Sequence, residues 1–388
     1  MTKRSIRLLR VTTAPISLRY LLGGQLEYMK ASGLEVLAVS ADGPEVKQVI
    51  ANGIPLQVVP MTRQVTPFWD LYCLWCLIKV IRDFKPDVVH SHTPKAGLLA
   101  MLAARITGVK VRMHTVAGLP LMRYSGFKRW LLGRMEWLTY SCATYVHVNS
   151  SGLRDFILNN ITRRFPLHLI GRGSSNWVDV QFFSPENFVD QGMVVRKTNF
   201  IPEDALVYCF VGRLVKDKGV QELVLAFDKI RLERPEAYLM LVGYMEPELD
   251  PLPKQIIDRI ESGGGIVLIP FQEDIRPYLA ASDVLVLPSY REGFPNVLLQ
   301  AGAMELPCIA TDINGCNEII RDGTTGFLVE VGNIESLTQA MIKLSDLKII
   351  DRFGKSAREI IRVTYTQQEF WEQLKGIYLN LYSKFGVK

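Results

Sequence analysis

The chain has 388 residues, 48% apolar and 22% charged, which excludes a disordered or fibrous protein and provides material for two domains. The net charge of +6 is unevenly divided: residues 1–185 carry 23 Lys and Arg against 10 Asp and Glu, a net +13, and residues 186–388 carry 22 against 29, a net −7. The basic half predicts an anionic partner, such as nucleic acid, a phospholipid surface or a phosphorylated substrate.

The six cysteines match no secreted disulfide framework. Cys73 and Cys76 form a C-x-x-C pair, but the second pair that a zinc site needs is absent from the sequence. We interpret them as helix-core cysteines and expect a cytoplasmic protein. Arg7 and Arg10 interrupt the apolar N-terminal stretch, so no signal peptide is predicted. No apolar run reaches the length of about 18 residues that predicts a membrane span.

Short apolar segments alternate with helical ones along the first half. The apolar segments are separated by helical patterns, which include "DLYCLWCLIKVIRDFKP" and "KRWLLGRMEWLTYSCA". Val-, Ile- and Leu-rich strands that alternate with helices predict a doubly wound parallel sheet. The predicted strands are 6–11, 34–40, 87–92, 110–116 and 144–150.

The second half repeats this rhythm after an irregular stretch. We therefore predict an α/β protein with two doubly wound, Rossmann-like domains that face a central cleft. The first domain is 1–185, joined by a C-terminal helix at 366–388, and the second is 186–365. Ligands of such sheets bind outside the carboxyl ends of the strands. The predicted strands of the second half are 206–212, 237–243, 265–271, 284–289, 307–312 and 326–330.

The segment "VGRLVKDKG" follows the first strand of the second half directly and contains Arg213 and Lys218. Two cations and two glycines at a strand-to-helix turn predict a phosphate cradle, because glycine lets the backbone approach and the helix start adds partial positive charge. The segment is not a Walker A loop. The alternative is two solvated surface cations.

The segment "REGFPNVLLQ" places the acid Glu292 in a turn before a short helix. Pro295 suits the first helical position, so the amides of Asn296, Val297 and Leu298 are predicted to be free for an anion or sugar oxygens. On helical spacing, Asn296 and Gln300 share a face, opposite Val297, Leu298 and Ala301. This combination favours a phosphorylated, polyhydroxylated ligand.

Three histidines lie at predicted strand ends. His90 and His92 share a face of one strand, but without an evident third ligand we favour a structural role over a metal. His114 ends the strand in "MHTVAG", where an imidazole could bind a substrate or belong to the core.

Basic and aromatic residues are interleaved in "LPLMRYSGFKRWLLGRMEW". This pattern favours docking on an anionic bilayer, although an amphipathic helix with arginine on its wet face fits too. No nucleic-acid module is recognised, so nucleic acid is not predicted as a partner. The residues predicted to meet the membrane or acceptor are Arg123, Lys128, Arg129, Trp130 and Arg134.

These motifs together resemble the retaining glycosyltransferases of the GT-B fold, specifically the large GT4-like family. The resemblance covers almost the full length and is nearest to bacterial enzymes that build capsule, O-antigen or other glycans on a lipid carrier. The matching segments are "GG" at 23–24, "DVVHSHTPKAG", "HTVAG", "VGRLVKDKG", "SDVLVLPSYREGFPNVLLQ", "TDINGCNEII" and "DGTTGFLV".

The resemblance implies a role for each matching position. Arg213 and Lys218 bind the donor diphosphate, Glu292 contacts the transferred sugar, and His114 lies near it. Gln300 stands where an E-x7-E motif has the Glu that binds ribose. The further donor-binding positions are Gly24, Phe271, Gln272, Gly293, Phe294, Asn296, Val297 and Leu298.

The implied reaction moves a sugar, without a metal, from a nucleotide-sugar to a glycan on a polyprenyl diphosphate. No cofactor is expected beyond the donor, a UDP-sugar. The implied location is cytoplasmic, peripheral on the anionic inner face of the plasma membrane.

Three positions depart from the family pattern: Gln300, Ala117 in place of His, and Glu305 in place of the Gly that commonly ends the helix before "LP". A non-Gly residue in that left-handed position costs about 1 kcal/mol, so a different helix end is expected. Two alternative functions stay open, a sugar-nucleotide 2-epimerase and a non-catalytic nucleotide-sugar binder.

Overall fold

The computed structural model describes residues 5–246 and 250–385, apart from the side chain of Arg123. The chain forms two compact units: unit 1 is Met1–Asn176 with Gln367–Lys388, and unit 2 is Trp177–Thr366. Within the described residues, no helix is both long enough and apolar enough to span a bilayer.

Unit 1 is built on strands β1 (Arg7–Val11), β2 (Glu35–Ser40), β3 (Leu56–Val58), β4 (Val88–His92), β5 (Val111–Val116), β6 (Tyr145–Val148) and β7 (Leu167–His168). Its helices are α1 (Gln25–Ala31), α2 (Val46–Ala51), α3 (Pro67–Phe84), α4 (Pro94–Ile106), α5 (Gly126–Cys142), α6 (Ser151–Asn160) and, from the C-terminus, α15 (Gln367–Phe385). The sheet is parallel, in the order β3-β2-β1-β4-β5-β6-β7.

Unit 2 is built on strands β8 (Val207–Val211), β9 (Tyr238–Val242), β10 (Ile266–Ile269), β11 (Val284–Leu287), β12 (Cys308–Thr311) and β13 (Gly326–Val329). Its helices are α7 (Val189–Thr198), α8 (Val220–Glu233), α9 (Lys254–Glu261), α10 (Arg276–Ala280), α11 (Asn296–Ala303), α12 (Cys316–Ile319), α13 (Ile334–Lys343) and α14 (Leu347–Thr364). Its parallel sheet has the order β10-β9-β8-β11-β12-β13.

The two doubly wound sheets confirm the predicted α/β architecture. The sequence prediction omitted β3 and β7, which have three and two residues and no continuous buried apolar run. The predicted strand 110–116 agrees with β5, so His114 lies within the strand and not at its end. The expectation of a different helix end before "LP" is wrong. Glu305 adopts the left-handed conformation, with φ 61°, and Gly354 leaves room for the Glu305 backbone.

The chain first leaves unit 1 at Asn176 rather than at the predicted position 185. The intervening residues pack on unit 2 instead. Trp177 packs edge-on against Tyr365, with ring centroids 5.7 Å apart, and Arg358 donates to the backbone carbonyl of Phe183 at 3.0 Å. These contacts assign 177–185 to unit 2.

The apolar core of unit 1 lies between its sheet and helices α3 and α4. Leu9 and Val11 of β1 and Val89 of β4 pack there with Cys73 and Leu77 of α3. Cys73 is therefore a core residue, as predicted, while Cys76 is partly buried.

The opposite side of this sheet contains a buried polar cluster that contacts Tyr378 of α15. Arg10 has no exposed surface. Its guanidinium lies 3.0 Å from Nδ1 of His90 and 2.7 Å from Nε2 of His92, and it donates to Gln25 at 2.6 Å and to the Tyr378 hydroxyl at 2.5 Å. Burial lowers the pKa of both histidines well below 6.5, so neutral rings accept these bonds. The pair thus has the structural role favoured from the sequence.

All five histidines of the chain lie in unit 1. Those that are buried should make the stability of unit 1 depend on pH. Burial lowers the pKa of His114 and of His147 from 6.5 to about 4. Between these values the unfolded chain binds protons that the folded chain does not, so stability falls as pH falls. Each of these two histidines should lower the free energy of unfolding by about 2 kcal/mol when the pH falls from 7 to 5.

Glu136 opposes this loss, because burial raises its carboxyl pKa to about 7 and the folded state then gains a proton on acidification. His90 and His92 act in the same direction as His114, so the net change is a loss. Thermal unfolding at pH 7 and pH 5 measures this loss of stability, and Glu136→Gln should make the loss larger. Hydrogen exchange showing equal acid destabilisation of both units would contradict the assignment to histidine.

Candidate active site

The strand order of unit 2 reverses between β8 and β11, which leaves a crevice at the carboxyl ends of these neighbouring strands. The loop after β8 contains Arg213 and Lys218, and the loop after β11 contains Glu292. The two loops touch, since a Cβ at Gly219 would collide with the carbonyl oxygen of Pro288. The switch point therefore brings together three of the predicted residues.

Lys218 and Glu292 form an ion pair across these loops, with 2.5 Å between Nζ and Oε1. The same carboxylate oxygen accepts from the Ser289 hydroxyl at 2.8 Å. Both charged side chains are mostly buried, with 20% and 11% of their surface exposed. The carboxylate is thus fixed at the crevice by two donors.

Arg213 has a carboxylate partner too, Glu246, which follows β9. One third of the Arg213 side chain is exposed, against 15% for Glu246. Both cations of the predicted phosphate cradle are therefore engaged with carboxylates. An incoming anion would share these cations with their carboxylates, since neither cation is isolated.

Several residues without a predicted role hold the Glu292 loop. Asn314 donates from Nδ2 to the Glu292 carbonyl at 2.7 Å, and a Cβ at Gly315 would lie 2.6 Å from the carbonyl oxygen of Gly293. On the other side, Arg291 pairs with Asp217 at 2.8 Å. Asn314 lies in the segment "TDINGCNEII", which matches the family, but a supporting amide gives no signal of its role in a single sequence.

The N-terminus of α11 differs in detail from the prediction. Pro295 is the N-cap and Asn296 the first helical residue. The amide of Leu298 donates to the Pro295 carbonyl at 3.1 Å, so it is not free for a ligand. Val297, expected on the buried side, is only partly buried. Asn296 and Gln300 are both partly buried and both lie in α11, which agrees with the shared helix face predicted for them.

The remaining predicted donor positions of unit 2 divide into buried and exposed. The Phe294 ring is 7% exposed and packs 5.9 Å from the Tyr365 ring, so this side chain belongs to the interior of unit 2. Phe271 is 47% exposed, edge-on to Tyr244 at 6.3 Å. Gln272 donates to the Pro270 carbonyl at 3.1 Å. Tyr244 was not predicted. It follows β9 and Phe271 follows β10, and no sequence pattern indicates that these two residues are neighbours.

In unit 1, Gly24 precedes α1 with φ 77°. Its Cβ position lies 2.6 Å from the Trp371 ring of α15, so only glycine fits. Trp371 donates to Asn176 at 2.6 Å, and Asn176 donates to the Gly23 carbonyl at 2.9 Å. The C-terminal helix and the first chain crossing therefore hold the Gly23–Gly24 loop.

His114 is 1% exposed and lies in the core of unit 1. Its Nδ1 is 3.0 Å from the Ser91 hydroxyl, and its ring rests on α4 at Gly97, where a Cβ would collide with it. With a pKa of about 4, the imidazole is neutral at pH 7. The predicted contact with a substrate stays a prediction.

The basic aromatic segment forms most of α5. Phe127 and Trp130 are 74% and 59% exposed and are stacked, with ring centroids 5.6 Å apart. Lys128 lies over the Tyr124 ring at 3.7 Å. Arg129 and Arg134 line a surface pocket of about 420 Å³ with Trp130, Trp137 and Asn160. The Arg123 side chain lies outside the described residues.

Comparison with known families matches both halves of the chain. The family described as "Glycosyl transferases group 1" matches residues 205–346, and the "Glycosyl transferase 4-like domain" matches residues 21–173. The first match lies in unit 2 and the second in unit 1.

Two curated proteins resemble the chain over nearly its full length. The Staphylococcus aureus "Capsular polysaccharide biosynthesis glycosyltransferase CapM" is 33% identical over 360 residues, 92% of this chain and 93% of that protein. The Escherichia coli "UDP-Gal:alpha-D-GlcNAc-diphosphoundecaprenol alpha-1,3-galactosyltransferase" is 25% identical over 387 residues, 96% of this chain and 97% of that protein.

A solved structure shares the fold. The crystal structure of Anabaena Alr3699/HepE in complex with UDP has a TM-score of 0.79 and 18% identity, covering 97% of this chain and 100% of that one. Together with the two parallel sheets, it confirms the fold predicted from the motifs.

Proposed function

The chain belongs to the group 1 glycosyl transferases, and we propose that it transfers a sugar, with retention, from a UDP-sugar to a glycan on a lipid diphosphate. The predicted glycosyltransferase function is confirmed at the level of the family. Donor, acceptor and stereochemistry are the proposal. The observation that carries it is the meeting of Lys218, Glu292 and the Arg213 loop at the switch point of unit 2.

Cleavage of a glycosyl–phosphate bond leaves negative charge on the departing diphosphate. Arg213 and Lys218 lie on the loop after β8 and supply two cations for that charge. Fixed cations stabilise a developing charge without the reorganisation that water needs. We therefore assign them to the diphosphate and propose that the transfer needs neither a metal nor another cofactor.

Glu292 is assigned to the transferred sugar. Its carboxylate is held by Lys218 and Ser289, so it can accept hydrogen bonds from sugar hydroxyls in a fixed orientation. Because that carboxylate is engaged at 2.5 Å with an ammonium, we do not assign it as a nucleophile. We propose instead that a donor phosphate oxygen takes the acceptor proton as the new bond forms on the same face.

The α11 start is assigned to the rest of the donor. The backbone of 293–297 would bind phosphate and sugar oxygens, and the exposed Phe271–Tyr244 pair the base. UDP is favoured because the E. coli relative is named for UDP-Gal and the Anabaena structure holds UDP.

We predict that Gln300→Glu tightens donor binding. A carboxylate forms charge-assisted hydrogen bonds to a ribose diol that are roughly twice as strong as those of an amide. The donor KM should fall several-fold with little change in kcat. Steady-state kinetics and calorimetric titration with UDP measure it. An unchanged or raised donor KM would show that Gln300 faces something other than ribose.

The acceptor proposal rests on relatives and on α5. The E. coli relative is named for a diphosphoundecaprenol acceptor, and α5 carries Lys128, Arg129 and Arg134 among exposed aromatic rings. Such a surface suits the anionic inner face of a plasma membrane. We propose a peripheral location there, with the acceptor diphosphate drawn to these cations.

Trp371 is proposed as a positioning residue for the Gly23–Gly24 loop. Trp371→Ala removes both the ring over Gly24 and the bond to Asn176, and should lower kcat/KM by about tenfold to a hundredfold, since a shift of about 1 Å costs that much. Trp371→Phe keeps a ring and should recover part of the rate. Leu379→Ala, at an exposed position of the same helix, is the matched control. Equal rates in all three variants would remove the role.

A transfer assay tests the whole proposal. The enzyme is incubated with a panel of UDP-, GDP- and ADP-sugars and an undecaprenyl-diphosphate-linked glycan, with and without EDTA. We expect transfer from a UDP-sugar that EDTA does not change. Tight UDP binding without transfer from any donor would instead indicate a nucleotide-sugar binder, and isomerised donor would indicate a 2-epimerase.

A further inference from the structure

Helix α3 has a second apolar face that points away from the core. Its inner side packs Cys73, Leu77, Val80 and Ile81 on the sheet. Its outer side, here called the α3 surface, comprises Phe68, Trp69, Leu71, Tyr72 and Trp75, exposed by 90%, 47%, 63%, 47% and 59%. Single exposed apolar residues are ordinary on a protein surface, but five large ones within eight positions mark an interaction site.

The α3 surface is ordered and aromatic. Its rings lie in a row, with centroids of Trp69 and Tyr72 5.2 Å apart and those of Tyr72 and Trp75 6.2 Å apart. Tryptophan and tyrosine prefer the boundary between lipid tails and water, where one end of the ring is dry and the other wet. The chemistry of the surface therefore favours a bilayer interface.

The charges around the α3 surface are complementary to an anionic bilayer. The stripe Phe68, Tyr72, Trp75 continues at helical spacing with the exposed cations Lys79 and Arg82. Of the two acids of this helix, Asp70 is held by Lys95 at 2.6 Å, and Asp83 is exposed beside Arg82, so the end of the stripe carries two cations against one acid. Long cationic side chains can reach headgroups while their stems stay on apolar surface.

The α3 surface and α5 belong to one helix layer. The connections β3–α3–β4, β4–α4–β5 and β5–α5–β6 all advance in the same direction across the sheet. Right-handed crossovers then place the three helices on one face, and α4 packs between α3 and α5. Both exposed aromatic sets, Phe68–Trp75 and Phe127–Trp130, therefore lie on the same layer of unit 1.

We propose that the α3 surface docks on the interface of an anionic lipid bilayer and forms, with α5, a two-point attachment. This inference rests on the proposed membrane-linked acceptor. Two weak contacts on one rigid layer bind more strongly than either, because the second contact forms within the bound protein. We propose a lipid bilayer as the binding partner of the α3 surface. The test below would also reveal a protein partner or a second copy of the chain.

Flotation of the full-length protein with vesicles of phosphatidylcholine, with and without phosphatidylglycerol, tests the proposal. The double variant Phe68→Glu/Trp75→Glu should lower binding to the anionic vesicles by at least about tenfold, because two rings that would enter the bilayer interface are replaced by negative charges. Phe200→Glu and Leu232→Glu are matched controls, since these residues are 89% and 84% exposed on unit 2. They should bind like the wild type.

Three results would overturn the proposal: wild-type flotation of the double variant, equal binding of the wild type to neutral vesicles, or loss of a dimer by the double variant in light scattering. UDP titration checks that unit 2 of the variant is intact.

Transfer to a short-chain, water-soluble acceptor separates this proposal from the proposed function. Flotation without transfer to any acceptor would refute the function alone, and transfer with normal flotation of the double variant would refute the α3 surface alone.

Discussion

Arg213→Ala is expected to lower kcat by about a hundredfold to a thousandfold, or about 3–4 kcal/mol of transition-state stabilisation, with the fold intact. The cation is one of two that the loop after β8 offers to a departing diphosphate, and alanine leaves that charge in contact with water. Stopped-time transfer assays under saturating donor measure kcat, and thermal unfolding verifies the fold.

Two variants separate this catalytic effect from the loss of an ion pair. Glu246→Gln removes the partner of Arg213 but keeps the cation, so kcat should stay within a fewfold of wild type. Lys229→Ala removes a pair on unit 2 whose side chains are 50% and 64% exposed, and should change neither rate nor stability appreciably. Full activity of Arg213→Ala would refute the diphosphate assignment.

Gly219→Ala should be the most disruptive single change to the framework of the site. Gly219 has φ 68°, which costs an alanine about 1 kcal/mol, and its Cβ would collide with the Pro288 carbonyl. Relief of that collision moves the loop of Lys218 away from β11, at a further cost of about 1–3 kcal/mol. Chemical denaturation measures the stability, and turnover should fall at the same time because Lys218 and Glu292 separate.

Gly108→Ala is the matched control. Gly108 has φ 77°, but nothing lies within 4 Å of its Cβ position, so alanine there meets the backbone cost alone. The difference between the two variants is the cost of the collision. Equal losses of stability would show that the two loops yield without strain, and the close approach of Gly219 to Pro288 would then have no role in placing Lys218.

The architecture was predictable because its signals are local and repeated. Each long strand is an apolar run before a Gly- or Pro-containing turn, and the alternation with helices leaves few topologies for a parallel sheet. The short strands β3 and β7 escaped because two or three partly exposed residues carry no period. The extra residues 177–185 of unit 2 escaped because their contacts, such as Trp177 with Tyr365, span most of that unit.

The site was predictable where chemistry required a rare residue. A lone acid, two cations and a polar residue within an apolar helix stand out, and Arg213, Lys218, Glu292 and Gln300 were predicted in this way. The structure brings the loops of the first three together, and their roles stay proposals. Glu246 was missed because a carboxylate after β9 has no marked spacing to Arg213, yet it pairs with it. The α3 surface was missed because an outward aromatic face and an inward core face have the same helical period; only burial distinguishes them.

The confinement of all five histidines to unit 1 makes the two units separately observable in the intact chain. Imidazole proton signals in an NMR spectrum follow the protonation and surroundings of each ring. Every such signal from this protein reports on unit 1, with no need to cut the chain or to silence unit 2 by labelling. A nucleotide that binds at the switch point of unit 2 will shift these signals only if its effect crosses to the other unit. The enzyme thus carries an internal reporter of communication between its halves.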